Sequence, residues 1–104
     1  MHMRARDRTL TPDDVAGATF TVNNSGTLGT LFGYSIITPG QAGILTMEAV
    51  VDRPVVIDKQ IVVRPMMYLC FSLDHRMMDG LTAAAFLSSC RLWLEGVDST
   101  TVVT

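Results

Sequence analysis

Residues 71–80 read Phe-Ser-Leu-Asp-His-Arg-Met-Met-Asp-Gly, and within this stretch an apolar strand gives way to a helix. The run from Met66 to Leu73 is apolar on both alternating faces. Such a run predicts a strand in the middle of a sheet that is covered on both sides. From Gly80 to Glu95 the apolar residues recur at helical spacing, so we predict one long helix there.

The predicted helix has signals at both ends and apolar residues on two faces. Asp79 is a good N-cap, and Gly96 is a good residue at which to end the helix. The stripe that is expected to face the core comprises Ala83, Phe86, Leu87, Cys90 and Leu94. The stripe on the opposite side comprises Leu81, Ala85 and Leu92. Either the helix is buried on two faces or its second partner lies outside this chain.

Toward the N-terminus the pattern is mainly that of strands and loops. Thr19 to Val22 and Ala42 to Val51 are strand candidates, and 55–57 with 61–63 predict a hairpin around Asp58-Lys59-Gln60. The glycine-punctuated loop 23–33 matches neither phosphate-binding glycine pattern. It is either a structural loop or a loop that approaches a ligand closely. The predicted fold class is α+β, with a mixed or antiparallel sheet and one long C-terminal helix.

The composition indicates a globular chain with little polar surface. Of 104 residues, 48% are hydrophobic and 17% are charged, and the formal net charge is −2. We therefore expect part of a larger protein, or a protomer that hides one face in an oligomer. No basic stripe favours nucleic acid, and no apolar run reaches the length of a membrane span. We interpret Cys70 and Cys90 as reduced core residues of a cytoplasmic protein.

The pair His75 and Asp79 lies where the strand meets the helix. One interpretation is a general base whose imidazole is oriented by the carboxylate; the other is a solvated turn followed by a helix cap. A metal site would need a third ligand, and neither His2 nor the cysteines give a credible one, so we expect no metal. A serine triad has three candidate members but no Gly-x-Ser-x-Gly motif; they are Ser72, Ser25 and Asp74.

Three segments in order strengthen the catalytic interpretation. They are Gly-Ala-Thr-Phe-Thr-Val-Asn-Asn-Ser-Gly at 17–26, Ile-Ile-Thr-Pro-Gly-Gln-Ala-Gly-Ile-Leu at 36–45 and Asp-His-Arg-Met-Met-Asp-Gly at 74–80. Together they resemble the C-terminal part of the catalytic domain of dihydrolipoamide acyltransferases, the core components of 2-oxo acid dehydrogenase complexes. The resemblance runs from about Leu10 to about Glu95 and implies a fold like that of chloramphenicol acetyltransferase.

The resemblance implies an acyl transfer between the thiols of a dihydrolipoyl arm and coenzyme A, which are substrates. His75 matches the family's general base, and Asp79 matches the motif carboxylate that holds the turn. Asn23 falls where the family often places a serine or threonine hydroxyl for the oxyanion. On the same resemblance we expect Ser25, Gly26 and Gly80 to contact substrate.

The resemblance also implies a size and a set of partners. Residues 1–104 correspond to the C-terminal portion of one catalytic domain that is about twice as long. The family implies a trimer-based homo-oligomer, a lipoyl group carried on another domain, and a location in the cytoplasm or the mitochondrial matrix. The alternative function is a non-catalytic assembly module that keeps half of the fold and its oligomer contacts.

Overall fold

Five strands and three α-helices occur in residues 2–101, the part of the chain that the computed structural model describes. In chain order they are α1 (His2–Arg6), α2 (Pro12–Val15), β1 (Thr21–Asn24), β2 (Gly43–Met47), β3 (Val51–Ile57), β4 (Gln60–Met66), β5 (Leu69–Leu73) and α3 (Gly80–Glu95). A short 3₁₀ helix, Gly26–Leu28, follows β1. The arrangement confirms the predicted α+β class with a mixed sheet and one long C-terminal helix.

The three-stranded sheet has the order β1-β2-β5, with β1 parallel and β5 antiparallel to β2. The prediction that Met66–Leu73 forms the central strand is therefore wrong. Met66 ends β4, and β5 pairs with β2 alone among the described strands. The central strand is β2, which pairs with β1 on one edge and with β5 on the other. Its first four residues are all buried, and Thr46 is only 2% exposed.

Two other strand predictions had the wrong bounds. The run from Ala42 to Val51 is divided, because β2 ends at Met47 and β3 begins at Val51. At the break, the backbone N–H of Ala49 donates to the Thr30 carbonyl, so the chain leaves the β1 ladder to bind the glycine-rich loop. The first strand also lies two residues later than predicted, and the loop therefore starts at Ser25.

The predicted hairpin is formed by β3 and β4, which pair from Val51–Met66 to Ile57–Gln60. Its turn contains two residues, since Gln60 already belongs to β4. Asp58 and Lys59 both have positive φ, 51° and 63°, as a tight hairpin turn requires.

Helix α3 has the predicted bounds and both predicted caps. The Asp79 carboxylate accepts a hydrogen bond from the Thr82 backbone N–H at 2.8 Å, and the Gly96 N–H donates to the Leu92 carbonyl at 3.2 Å. The helix packs on β5 through three aromatic rings whose centroids lie 5.1 to 5.9 Å apart; these are Phe20, Phe71 and Phe86. The core next to them is small, with Ile44, Leu45 and Ala83 as its buried apolar residues.

The side of α3 that faces away from the sheet is exposed. Leu81 is 80% exposed and Leu92 is 60% exposed, so the second apolar stripe has no partner within the described residues. The radius of gyration is 16.4 Å, whereas a compact domain of this length measures about 13 Å. The fold is therefore more open than a self-contained domain of this size.

Cys70 and Cys90 are free, as predicted, but each is half-buried and does not belong to a closed core. Within residues 2–101, no helix combines the length and the apolar character needed to cross a membrane.

Candidate functional site

The turn that carries His75 is organised by Asp74, the first residue after β5. The Asp74 N–H donates to the Ala42 carbonyl at 2.8 Å, which fastens the turn to the residue before β2. Its carboxylate accepts three hydrogen bonds from Arg76, from the backbone N–H and Nε at 3.0 Å and from Nη2 at 2.8 Å. The hydrogen bonds from the Arg76 guanidinium, followed by the one from its backbone N–H, lower the pKa of Asp74 to about 2. His75 is thus held between two residues that bind each other.

Asp79 lies at the other side of this turn and serves chiefly as the cap of α3. Its pKa is lowered, first by the Thr82 backbone hydrogen bond and to a lesser degree by the charge of His75. The exposed His75 imidazole makes no hydrogen bond to any described residue. The carboxylate therefore fixes the turn that carries the histidine and does not hold the imidazole directly.

A polar cleft of about 360 Å³ opens beside His75. One wall is the loop before β2, with Ile37, Thr38, Pro39, Gly40 and Gln41. The other wall is the turn after β5, with Leu73, Asp74, His75 and Arg76. Gln41 is buried, accepts a hydrogen bond from the Thr21 hydroxyl and donates to the Ala18 carbonyl at 3.3 Å. This glutamine holds the loop against the start of β1. No local sequence pattern around Gln41 indicates this role.

The other predicted site residues, Asn23, Ser25 and Gly26, lie at the C-terminal end of β1. Asn23 is exposed and pairs with Thr46 of β2, which in turn pairs with Cys70 of β5. Ser25 donates its hydroxyl proton to Oε2 of Glu48 at 2.7 Å, and Gly26 packs directly on the Glu48 backbone. Sequence reasoning missed Glu48, because a single glutamate after an apolar strand gives no motif.

The structure brings the predicted residues together in two separate groups. His75, Asp79 and Gly80 share the turn after β5, while Asn23 with its neighbours lies at the opposite end of the sheet. Across the sheet, Asn23 is level with Cys70, which lies three residues before the end of β5. The distance along β5 from Cys70 to the start of the His75 turn is therefore about 10 Å. Within the described residues, the cleft beside His75 does not extend to Asn23.

The structure also bears on the two other chemistries considered from sequence. Ser25 is engaged by Glu48, and Asp74 is engaged by Arg76, so neither is arranged for a triad with His75. Among residues 2–101, no three His, Cys, Asp or Glu side chains cluster closely enough to hold a metal ion.

Comparison with known proteins gives a consistent set of relatives. Residues 1–102 match the family model described as 2-oxoacid dehydrogenases acyltransferase (catalytic domain). The chain is 48% identical over 101 residues to the lipoamide acyltransferase component of the branched-chain alpha-keto acid dehydrogenase complex of Bacillus subtilis, covering 96% of this chain and 24% of the relative. It is 48% identical over 92 residues to the mitochondrial succinyltransferase component of the 2-oxoglutarate dehydrogenase complex of Bos taurus, covering 88% of this chain and 20% of the relative. The chain thus spans a quarter or less of the length of these curated relatives.

Solved structures agree with these relatives. A probable dihydrolipoamide acetyltransferase from Listeria monocytogenes superposes with a TM-score of 0.90 at 42% identity, covering 97% of this chain and 43% of that one. The cubic core of a pyruvate dehydrogenase multienzyme complex superposes with a TM-score of 0.76 at 31% identity, covering 83% and 35%.

A third structure is the dihydrolipoamide acetyltransferase of Azotobacter vinelandii, with a TM-score of 0.78 at 32% identity, covering 85% of this chain and 36% of that one. It was solved to investigate the catalytic roles of a serine, a histidine and an asparagine. In that protein the histidine follows the serine by 52 positions and precedes the asparagine by four.

Proposed function

We infer the function of this chain from its family: it belongs to the 2-oxoacid dehydrogenase acyltransferases and matches their catalytic domain over residues 1–102. Members of this family are transferase enzymes. We propose that the protein moves an acyl group between dihydrolipoamide and coenzyme A in the core of a 2-oxo acid dehydrogenase complex. We further propose that residues 1–104 form the C-terminal portion of a single catalytic domain with a chloramphenicol acetyltransferase-like fold.

One observation carries the assignment of residues. His75 follows Asn23 by 52 positions and precedes Asp79 by four, the spacings of the three residues investigated in the Azotobacter enzyme. Asn23 stands where that enzyme has a serine, and Asp79 where it has an asparagine. The match supports roles for Asn23, His75 and Asp79 in the same reaction.

In the proposed reaction, the His75 imidazole removes the proton from the attacking thiol, and the sulfur adds to the thioester carbonyl. The tetrahedral intermediate then expels the other thiolate, which takes the proton back from the imidazolium. At reference pKa values, proton transfer from a thiol to an imidazole is uphill by about 3 kcal/mol, so the transfer must accompany the attack. The exposed position of His75 beside the polar cleft gives a thiol access to the imidazole.

The tetrahedral intermediate also needs a hydrogen-bond donor for its oxyanion. The side-chain amide of Asn23 can donate a proton as a serine hydroxyl can, and it is exposed at the end of β1. Asp79 has a different role, because its carboxylate caps α3 and thereby fixes the turn on which His75 lies. We propose that Ser25, Gly26 and Gly80 contact substrate through the backbone of these same two turns.

Because Asn23 and His75 lie at opposite ends of one sheet, a site that uses both must combine two copies of the chain. The exposed apolar stripe of α3 provides surface for such association. We therefore propose a homo-oligomer, built from trimers if the family's arrangement holds. The other partners would be a lipoyl domain and the remaining components of the complex, in the cytoplasm or the mitochondrial matrix.

The direct test is an acyl-transfer assay with dihydrolipoamide and coenzyme A. Because the chain covers 24% of the Bacillus relative, the assay uses both the 104-residue chain and a chimera in which it replaces the matching segment of that relative. We expect transfer by the chimera at a rate that depends on His75. An associated but inactive chimera would support the alternative function, a non-catalytic assembly module.

A second test addresses the two-copy site. Chimeras with His75→Ala and Asn23→Ala are expected to be nearly inactive when each is prepared alone. Co-expression should restore part of the activity, because mixed oligomers contain some sites with both residues intact. If co-expression restores nothing although mixed oligomers form, both residues act within one copy.

A further inference from the structure

Glu48 is the most deeply buried acidic side chain among the described residues, at 2% exposure, and lies just after β2. One carboxyl oxygen, Oε2, accepts the hydrogen bond from the Ser25 hydroxyl. The other, Oε1, is buried and has no hydrogen-bond partner among the described residues. Burying a carboxyl group with one oxygen unpaired costs folding free energy, so this residue needs an explanation other than stability.

The loop over residues 25–35 is fastened around this carboxyl group. The backbone N–H of Ser25 donates to the Met47 carbonyl at 3.1 Å, and the Thr30 carbonyl accepts from Ala49 at 2.8 Å. At Gly33, a Cβ would lie 3.8 Å from Oε1 of Glu48, so the loop passes over the unpaired oxygen. The loop is therefore bound to the backbone on both sides of Glu48, and Ser25 also binds its carboxyl group.

The turn that ends β1 also lies against Glu48. Asn24 closes a short turn, since its Oδ1 accepts from the Gly26 N–H at 3.1 Å, and Gly26 rests on the Glu48 backbone. Ser25 lies between these two contacts, and its hydroxyl is the link to the Glu48 side chain. Asn23 is the residue immediately before this turn.

We propose that Glu48 is a positioning residue for Asn23: by binding Ser25 it fixes the turn that aims the Asn23 amide at the reacting carbonyl. This inference rests on the proposed function, because it gives a purpose to Asn23 in acyl transfer. Glu48 itself touches neither substrate nor the reacting atoms. The folding free energy that burial of Glu48 costs is thus explained by the need to hold the Asn23 amide in a fixed orientation at the exposed end of β1.

The test is a double-mutant cycle on kcat in the chimera. Glu48→Ala should lower kcat by about 10- to 100-fold with little change in KM, the scale expected when a catalytic group is displaced by about an ångström. In an Asn23→Ala background the same substitution should have almost no further effect. Glu48→Gln keeps the shape and an acceptor oxygen for Ser25, so it should retain most of the activity.

The matched control is Ser35→Ala. It removes the 2.6 Å hydrogen bond between the hydroxyls of Ser35 and Thr46, another partly buried contact between the same loop and β2. Its effect on kcat should be small and should add to that of Asn23→Ala. If Glu48→Ala is also additive with Asn23→Ala, or if Glu48→Gln is as damaging as Glu48→Ala, the positioning role is wrong.

Hydrogen–deuterium exchange separates this inference from the proposed function. Glu48→Ala should increase exchange in peptides covering 23–33 and leave the His75 turn unchanged. If the wild-type chimera transfers no acyl group, the proposed function fails, and unchanged exchange at 23–33 would in addition overturn the positioning role. Increased exchange there would support the hold of Glu48 on the turn even without activity.

Discussion

Each end of the three-stranded sheet carries one group of predicted site residues, and the two groups are held in different ways. At the His75 end, the contacts made by side chains join residues two or three apart in sequence, such as Asp74 with Arg76 and Asp79 with Thr82, and a backbone hydrogen bond from Asp74 to Ala42 ties the turn to the sheet. At the Asn23 end, the deciding contact joins Ser25 to Glu48, which are 23 residues apart. The first end is a continuous motif, and the second exists only once the sheet has formed.

This difference has consequences for how each end fails. A local turn depends on its own residues, so a substitution there should change chemistry and affect the rest of the fold little. An end held by long-range contacts is part of the packing, so a substitution there should affect both stability and activity. The following predictions test this division.

The largest expected effect is on activity at the His75 end. His75→Ala should reduce acyl transfer by about 10²–10⁴-fold, the scale of a lost general base. Its melting temperature should stay close to that of the wild type, because the imidazole is exposed and has no hydrogen bond to a described residue. Steady-state kinetics and thermal unfolding of the chimera measure the two quantities. Wild-type rates in the variant would refute the proposed mechanism.

The next expected effect is on stability, and it compares a glycine-to-alanine substitution at the Asn23 end with one at the His75 end. Gly26→Ala places a Cβ 2.5 Å from the backbone N of Ala49 and the backbone O of Glu48, and should destabilise the protein by about 1–3 kcal/mol. Gly80→Ala meets nothing within 4 Å and should stabilise by about 0.4–1 kcal/mol. Chemical denaturation of both variants measures the difference. Equal effects would mean that the two ends are not packed differently.

A smaller effect is expected at the helix cap. Asp79→Ala removes the acceptor for the Thr82 N–H and should lower the melting temperature by about 4–8 °C, the scale for a lost cap in a domain of this size. Activity should fall indirectly, because the turn that carries His75 loosens. Asp79→Asn keeps an acceptor oxygen and serves as the control. A loss of activity in Asp79→Asn without a loss of stability would instead indicate a direct role for the charge.

The smallest effect concerns acid stability at the His75 end. Arg76 lowers the pKa of Asp74 from 3.8 to about 2, so the pair contributes stability that is fully present above pH 4 and is lost as the pH falls toward 2. Arg76→Ala should reduce this part of the pH dependence but not abolish it, because the backbone N–H of residue 76 still donates to the Asp74 carboxylate. Thermal unfolding between pH 2 and pH 5 measures it, with Arg64→Ala as a surface control. The same pH dependence in Arg76→Ala and the wild type would show that the pair contributes nothing.

The contrast between the two ends also explains what could be predicted from the sequence. The bounds and caps of α3 and the position of the hairpin follow from residues close in sequence and were predicted correctly, although Gln60 belongs to β4 and not to the turn. The central strand was assigned wrongly, because apolar periodicity does not show which of two buried runs finds partners on both edges. Glu48 and Gln41 were missed for a related reason, since the contacts of each cross between elements and leave no local pattern.

In the proposed oligomer, the exposed stripe of α3 would make the stability of this protein depend on its concentration. If copies cover Leu81 and Leu92 in an oligomer, unfolding is coupled to dissociation, and mass action raises the melting temperature as the protein becomes more concentrated. Dilution would then weaken the fold without any change in sequence or solvent. In a cell, the same relation ties the lifetime of each newly made chain to the number of copies already present.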